Sequence, residues 1–141
     1  MLRCAKVMTP SPVTCEPTET IVAAVYRMAR AEVGALPIVD EEGRLLGILT
    51  NRDVSTRVVA RGIDPWMTPV EAVMTKDVLT CRPEDDLYEA IERMEDGQVQ
   101  RLPIIDDEGR LVGMVTRDDL TLRVGPYGPY AEFLEEVHAE D

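Results

Sequence analysis

Two short strings hold the residues best suited to chemistry: Gly47-Ile48-Leu49-Thr50-Asn51-Arg52-Asp53 and Gly113-Met114-Val115-Thr116-Arg117-Asp118-Asp119. In each, an apolar run fit for a strand end meets a hydroxyl and, three residues on, a carboxylate. That spacing supports two chemistries. In a capping box the threonine hydroxyl accepts from the amide three residues later, and the carboxylate reaches back to the threonine amide, starting a helix. In a nucleotide site, helix amides and the hydroxyl attract a phosphate while the carboxylate accepts hydrogen bonds from two ribose hydroxyls. Spacing alone leaves both open. Arg52 and Arg117 would either face a phosphate or lie solvated on the helix. The glycines would either admit a close backbone approach or serve hairpin packing.

Covalent catalysis finds little support. There is one histidine, His138, near the end, and no G-x-S-x-G, Walker A or G-x-G-x-x-G string. Cys4, Cys15 and Cys81 lack the C-x-x-C spacing of a zinc site. Cys15 and Cys81 read as half-buried small apolar side chains rather than as a redox pair with each other.

The two strings belong to a repeat. Leu36-Pro37-Ile38, Asp40, Glu42-Gly43-Arg44-Leu45, Gly47, Thr50 and Asp53 recur as Leu102-Pro103-Ile104, Asp106, Glu108-Gly109-Arg110-Leu111, Gly113, Thr116 and Asp119, at a constant spacing of 66 residues and with no gap. The same spacing pairs Val7-Met8-Thr9 with Val73-Met74-Thr75, Thr14-Cys15 with Thr80-Cys81, and Arg27-Met28 with Arg93-Met94. Two units are too few for a solenoid, so a pseudo-symmetric pair is expected.

Composition narrows the partners. A net charge of −12 over 141 residues opposes nucleic acid, whose binding needs clustered Lys and Arg; a small anion remains open where basic residues converge. One Phe and one Trp in a chain that is 45% hydrophobic predict an aliphatic core. No apolar run reaches the roughly 18 residues of a membrane span, and Met1 to Pro10 lacks the apolar stretch of a signal peptide. No membrane partner and a cytoplasmic location are the expectations.

The elements follow from periodicity. After a lead-in in which Pro10 and Pro12 bar a regular helix, Val13-Thr14 reads as a very short strand. Ile21, Ala24, Val25 and Met28 mark one face of a helix that starts at Pro17 to Thr20 and stops near Gly34. Leu36 to Val39 and Arg44 to Leu49 form a hairpin about Asp40-Glu41-Glu42-Gly43, and a helix runs from about Asn51 to Ala60. Trp66 is the expected hydrophobic anchor of the connecting loop. The order then repeats, with a strand near Leu79-Thr80, a helix on Leu87, Ala90, Ile91 and Met94, a hairpin from Leu102 to Val115, and a helix from Arg117. Each unit is thus β-α-β-β-α, an α/β (α+β) class. The divisions read as 1–66, 67–125 and an acidic amphipathic tail at 126–141 carrying Phe133, Leu134 and Val137.

The doubled L-P-I-x-D-x-E-G-R-L-x-G-x-x-T-x-x-D string, preceded by the M-T element, resembles a tandem pair of cystathionine-β-synthase (CBS) domains, the Bateman module, over residues 6 to 122. The resemblance implies two repeats packed through their sheets, with clefts that bind adenosine derivatives. One cleft would use Thr116, Asp119, Arg101 and Met114 with Val13, Val33 and Gly34. The other would use Thr50, Asp53 and Ile48 with Leu79, Val99 and Gln100. The match is unsymmetrical, because Arg101 precedes L-P in the second repeat and Ala35 in the first. The implied protein is a stand-alone regulatory sensor of AMP, ADP or ATP without catalysis or an obligatory cofactor. It would be a homodimer through faces bearing Met28, Val58, Met94 and Leu122, acting on a separate effector protein. The alternatives are an S-adenosylmethionine-binding module, or a ligand-free assembly module that binds a protein through Tyr127 to Val137.

Overall fold

The computed structural model describes residues 2–124, with side-chain surroundings through residue 120. The acidic tail, with His138, Phe133, Leu134 and Val137, and the Leu122 side chain lie outside the described residues. Among the described residues two compact units are present: Val13–Val78 form one, and residues 2–12 join residues 79–124 to form the other.

In chain order the elements are α1 (Cys4–Val7), β1 (Thr9–Pro10), α2 (Ile21–Ala31), β2 (Ala35–Val39), β3 (Leu45–Thr50), α3 (Asn51–Asp53) continuing as a π-helical turn (Val54–Val59), a 3-10 turn (Val70–Ala72), α4 (Leu87–Gly97), β4 (Arg101–Ile105), β5 (Leu111–Thr116) and α5 (Arg117–Val124). Mixed helix and strand content with small sheets bears out the α+β class. Among the described residues no helix is long and apolar enough to cross a membrane.

The unit of Val13–Val78 is built on α2. The Thr20 hydroxyl accepts from the Ala23 amide at 3.2 Å, closing the helix start, and Glu32 ends the helix in the left-handed region at φ 55°. Ile21, Ala24 and Met28 fall on one stripe and are buried with Leu36, Ile38 and Leu49 of the hairpin. The hairpin turn is set by Asp40, whose Oδ1 accepts from the Glu42 and Arg44 amides at 2.9 Å, and by Gly43 at φ 82°. β2 and β3 pair antiparallel with Ala35 opposite Thr50 and Pro37 opposite Ile48. Instead of the short strand expected at Val13-Thr14, a single parallel bridge joins Cys15 to Ile38.

The second unit repeats this plan. Leu87, Ala90, Ile91 and Met94 of α4 are buried against Leu102, Ile104 and Val115, and β4 pairs antiparallel with β5 so that Arg101 lies opposite Thr116. The strand expected at Leu79-Thr80 is again one bridge, Cys81 to Ile104.

The lead-in differs from expectation. Pro10 and Pro12 bar a helix only locally, and α1 fits its single turn before them. β1 then adds an edge to β5, with Thr9 opposite Met114 and Pro10 opposite Gly113. At the matching place in the other unit, Thr75 bridges Ile48, with both amide-to-carbonyl bonds at 2.9 Å. The two Val-Met-Thr segments are therefore exchanged: each pairs with the strand of the repeat to which it does not belong. A boundary drawn at 66/67 in sequence thus separates repeats, whereas the spatial units interleave them.

Two further expectations are corrected. Trp66 does not anchor its loop, since it is 70% exposed. Met28, Val58 and Met94 cannot present a face to a second copy, because they are 3%, 2% and 0% exposed within their own units. An amphipathic stripe is covered first by the sheet of its own repeat.

Candidate functional site

β5 ends in Thr116 and turns directly into α5, which places a hydroxyl and a carboxylate at one corner. The Asp119 amide donates to Thr116 Oγ1 at 3.1 Å, and the Thr116 amide donates to Asp119 Oδ2 at 2.9 Å. The Thr116 hydroxyl in turn donates to Oδ2 at 3.0 Å. The capping reading of the spacing is therefore realised. The same box closes at β3 and α3, where Asp53 N to Thr50 Oγ1 is 3.1 Å and Thr50 N to Asp53 Oδ2 is 3.0 Å. A carboxylate at a helix start is also favoured by the helix dipole.

Both carboxylates are buried, Asp53 at 6% and Asp119 at 9% exposure. Each has a second hydroxyl beside it that the spacing did not reveal. Thr9 donates to Asp119 Oδ1 at 2.9 Å, and Thr75 donates to Asp53 Oδ1 at 3.0 Å and Oδ2 at 3.3 Å. These threonines end the exchanged Val-Met-Thr segments. The signal was in the sequence, as a polar residue recurring at the same 66-residue spacing after two apolar ones, but nothing local showed what it would touch.

The glycines are explained by that exchange. A Cβ on Gly47 would stand 2.7 Å from the Thr75 carbonyl oxygen and 2.8 Å from Met74 Sδ, and one on Gly113 would meet the Met8 side chain. Their smoothness admits the chain's own Met-Thr segment. At the Asp53 corner Arg57 Nε lies 3.7 Å from Oδ1, and the same guanidinium donates to the Val73 and Met74 carbonyls at 3.3 and 3.2 Å.

An ionised carboxylate accepts at about four lone-pair sites. Asp119 takes hydrogen bonds from Thr116 N, Thr116 Oγ1 and Thr9 Oγ1, so a sugar hydroxyl would fill what remains or displace Thr9. Ile48 and Met114, two residues before the threonine that ends each strand, are buried at 6% and 7% exposure.

Each unit by itself holds a defined subset of the expected residues. Thr116, Asp119, Met114 and Arg101 share a unit with Gln100, whose carbonyl accepts from the Arg117 amide at 2.9 Å, with half-buried Val99, and with Leu79 at 43% exposure. Thr50, Asp53 and Ile48 share theirs with Gly34, whose carbonyl accepts from the Asn51 amide at 3.1 Å, and with exposed Val13 and Val33. Arg52 is exposed and Arg117 half-buried. A groove of about 510 Å³ beside α2, lined by Val13, Ala23, Tyr26, Arg27, Arg30 and Ala31, contains neither Thr50 nor Asp53. Among the described residues no cluster of His, Cys, Asp or Glu is placed to hold a metal ion.

Comparison with known proteins gives these corners a context. The family model described as the CBS domain matches residues 4–60 and again 70–125. Protein MK0525 of Methanopyrus kandleri is 38% identical over 115 residues, covering 82% of this chain and 58% of that protein. Inosine-5'-monophosphate dehydrogenase of Methanocaldococcus jannaschii is 39% identical over 111 residues, covering 79% of this chain but 21% of the enzyme. The chain thus spans a little over half of one relative and a fifth of the other. Among solved structures, the CBS domain pair of protein MJ0100, in complex with 5'-methylthioadenosine and S-adenosyl-L-methionine, superposes with a TM-score of 0.78 at 26% identity, over 86% of this chain and 94% of that one.

Proposed function

The chain belongs to the CBS domain family, with two repeats, and from that premise we propose that it is a cytoplasmic regulatory sensor that binds adenine nucleotides at its Thr-x-x-Asp corners without turning them over. The observation that carries the reading is the buried carboxylate flanked by two threonine hydroxyls at a strand-to-helix junction, built twice. Asp119 and Asp53 are the ribose acceptors. Thr116 and Thr50, with the first amides of the helices, face the phosphate, and Arg101 adds charge at the first corner only. Met114 and Ile48 contact the base.

A second reading has its own support. The MJ0100 domain pair holds 5'-methylthioadenosine and S-adenosyl-L-methionine, which share adenine and ribose with AMP but carry no phosphate. The two readings agree on the carboxylates and part at the phosphate. Titration calorimetry with AMP, ADP, ATP, S-adenosylmethionine and methylthioadenosine separates them. We expect a nucleotide to bind most tightly and to raise apparent stability by about 2.7 kcal/mol at a hundred times its Kd. Heat only from the sulfur-containing ligands would favour the second reading, and heat from none would remove both.

The regulatory output passes through an effector protein, and the working unit is a homodimer of two-fold symmetry, the commonest closed assembly. Since Met28, Val58 and Met94 are used internally, the contact falls to exposed apolar residues of the helices, Val25 and Tyr26 on α2 and Tyr88 on α4. Sedimentation at tens of micromolar tests this, a monomer alone being the adverse result.

A further inference from the structure

Helices α2 and α4 hold matching places in the two repeats, and their inner faces are alike while their outer faces are not. Buried Ile21, Ala24 and Met28 correspond, at the 66-residue spacing, to buried Leu87, Ala90 and Met94. On α2, Val22, Val25, Tyr26 and Ala29 recur at i, i+3, i+4 and i+7, a second apolar stripe beside the buried one. Its own unit leaves that stripe largely uncovered: Val25 is 37% and Tyr26 63% exposed, and Ala29 is exposed as well. Where α2 has Ala23, Tyr26 and Arg30, α4 has Glu89, Glu92 and Asp96, all exposed.

Charge follows the same division. Arg27 is already engaged, donating to the Thr14 carbonyl at 2.6 Å and to Glu19 at 2.6 and 3.0 Å. Arg30 instead lies over the Tyr26 ring, 5.7 Å from its centroid, and donates to the Tyr26 hydroxyl at 3.4 Å. On α4 the cation turns inward, Arg93 donating to the Thr80 carbonyl at 2.6 Å and to Cys81 Sγ at 3.1 Å. Among the described residues neither Arg30 nor Glu89, Glu92 and Asp96 form an ion pair. Glu92 and Asp96 stand four residues apart, a spacing at which like charges on a helix repel.

We infer that these two faces are made for each other in separate copies of the chain: α2 of one protomer seats on α4 of a second, with Arg30 against Glu92 and Asp96 of the partner subunit. The pairing rests on the two-copy reading above and adds which face meets which. Two-fold symmetry makes the contact twice, α2 on α4 and α4 on α2. Burial of the stripe supplies the attraction, and charge selects the mate. Contact of α4 with α4 would set carboxylate against carboxylate. Contact of α2 with α2 would match the stripes but set Arg30 against no acid and leave the acids of α4 uncompensated. The groove of about 510 Å³ that borders the stripe, lined by Ala23, Tyr26 and Ala31 with Arg27 and Arg30, is an apolar recess edged by guanidinium groups. It suits an aromatic ring flanked by carboxylates, which α4 offers in Tyr88, 51% exposed, beside Glu89 and Glu92.

Sedimentation of the full chain tests the pairing, with two variants: Arg30→Glu, and Glu92→Arg combined with Asp96→Arg. The starting chain is expected to dimerise. Each variant alone puts like charges into both copies of the contact, raising the dissociation constant at least about tenfold. An equimolar mixture of the two variants restores opposite charges at both contacts, so it recovers dimers holding one chain of each kind, identified by a mass tag on one of them. That recovery also shows that the variant chains fold. A starting chain that stays monomeric would remove the two-copy reading and the pairing with it. A starting dimer unchanged by Glu92→Arg with Asp96→Arg, or unchanged by Arg30→Glu, would keep that reading and overturn the pairing of α2 with α4. A mixture that stays monomeric while the starting chain dimerises would overturn the pairing as well.

Discussion

The Thr9 hydroxyl donates to Asp119 Oδ1 at 2.9 Å across 110 residues of chain, and Thr75 makes the same bond to Asp53 at 3.0 Å. Each bond ties a Val-Met-Thr segment to the acidic residue of a Thr-x-x-Asp corner. A hydrogen bond to a charged, buried acceptor stabilises by about 1.5–3 kcal/mol when water cannot replace it. Thr75 is half-buried and Thr9 is exposed. We expect Thr75→Val to cost toward that range and Thr9→Val to cost less than about 1.5 kcal/mol, as read by urea denaturation. Equal losses would mean that burial does not set the strength of these latches.

The corner carboxylates should reveal two separate roles. Loss of a helix cap costs about 0.5–2 kcal/mol of stability. If Asp119→Ala and Asp53→Ala lose only that much stability yet abolish measurable nucleotide binding, the carboxylate acts on the ligand as well as on the helix. A loss of affinity no larger than the loss of stability would leave the cap as its whole function.

Much of this architecture is legible in the sequence for a physical reason: apolar periodicity and turn chemistry are local. Ile21, Ala24 and Met28, and again Leu87, Ala90 and Met94, are spaced as a helix stripe and are buried as one. The exchange of Val-Met-Thr segments is not local. Because Thr9 and Thr75 are equivalent in the repeat, no pattern distinguishes pairing with one's own strand from pairing with the other repeat's. The corner was therefore visible as Thr-x-x-Asp and incomplete by one threonine. Trp66 misled for the opposite reason, since its type favours burial but its loop leaves it 70% exposed. The single turn of α1 is too short to show a period at all.

The two strand glycines should tolerate alanine unequally. A Cβ on Gly47 would press on the Thr75 carbonyl oxygen, which already accepts from the Ile48 amide at 2.9 Å, so backbone would have to move. On Gly113 the nearest atoms would be those of the Met8 side chain, whose outer end has rotamers to spare. We expect Gly47→Ala to cost about 1–3 kcal/mol and Gly113→Ala distinctly less, measured on the purified variants by chemical denaturation. The reverse order would contradict the account of why glycine stands there.

Acid should loosen the first repeat through Glu19. Burial opposes its ionisation, but the Cys15 thiol, the Arg27 guanidinium and the Glu16 amide together hold its carboxyl below the ordinary 4.5. A carboxyl depressed in the folded state stabilises above its unfolded value, and that contribution is lost as pH falls through the folded value. Stability should therefore decline below about pH 4.5 more steeply in the starting protein than in Arg27→Met, the two curves converging at low pH. Parallel curves would show that the Glu19–Arg27 pair carries no pH-linked stability.

The two corners should bind unequally, the one with Arg101 more tightly. Arg101 lies across the strand pair from Thr116, whereas Ala35 holds the matching place across from Thr50. A charge-assisted hydrogen bond to phosphate contributes about 1.5–3 kcal/mol, or one to two decades of affinity, and alanine offers none. The chain's net charge of −12 repels anions at long range, so a local guanidinium matters more here, and added phosphates bring added repulsion. AMP and ADP should then bind at least as well as ATP in buffer without magnesium. Calorimetry on Arg101→Ala decides it. A biphasic isotherm in the starting protein that becomes uniform and weak in the variant is the expected outcome, while equal sites at the start, or an unchanged isotherm after substitution, would mean that the difference between Arg101 and Ala35 has no energetic consequence.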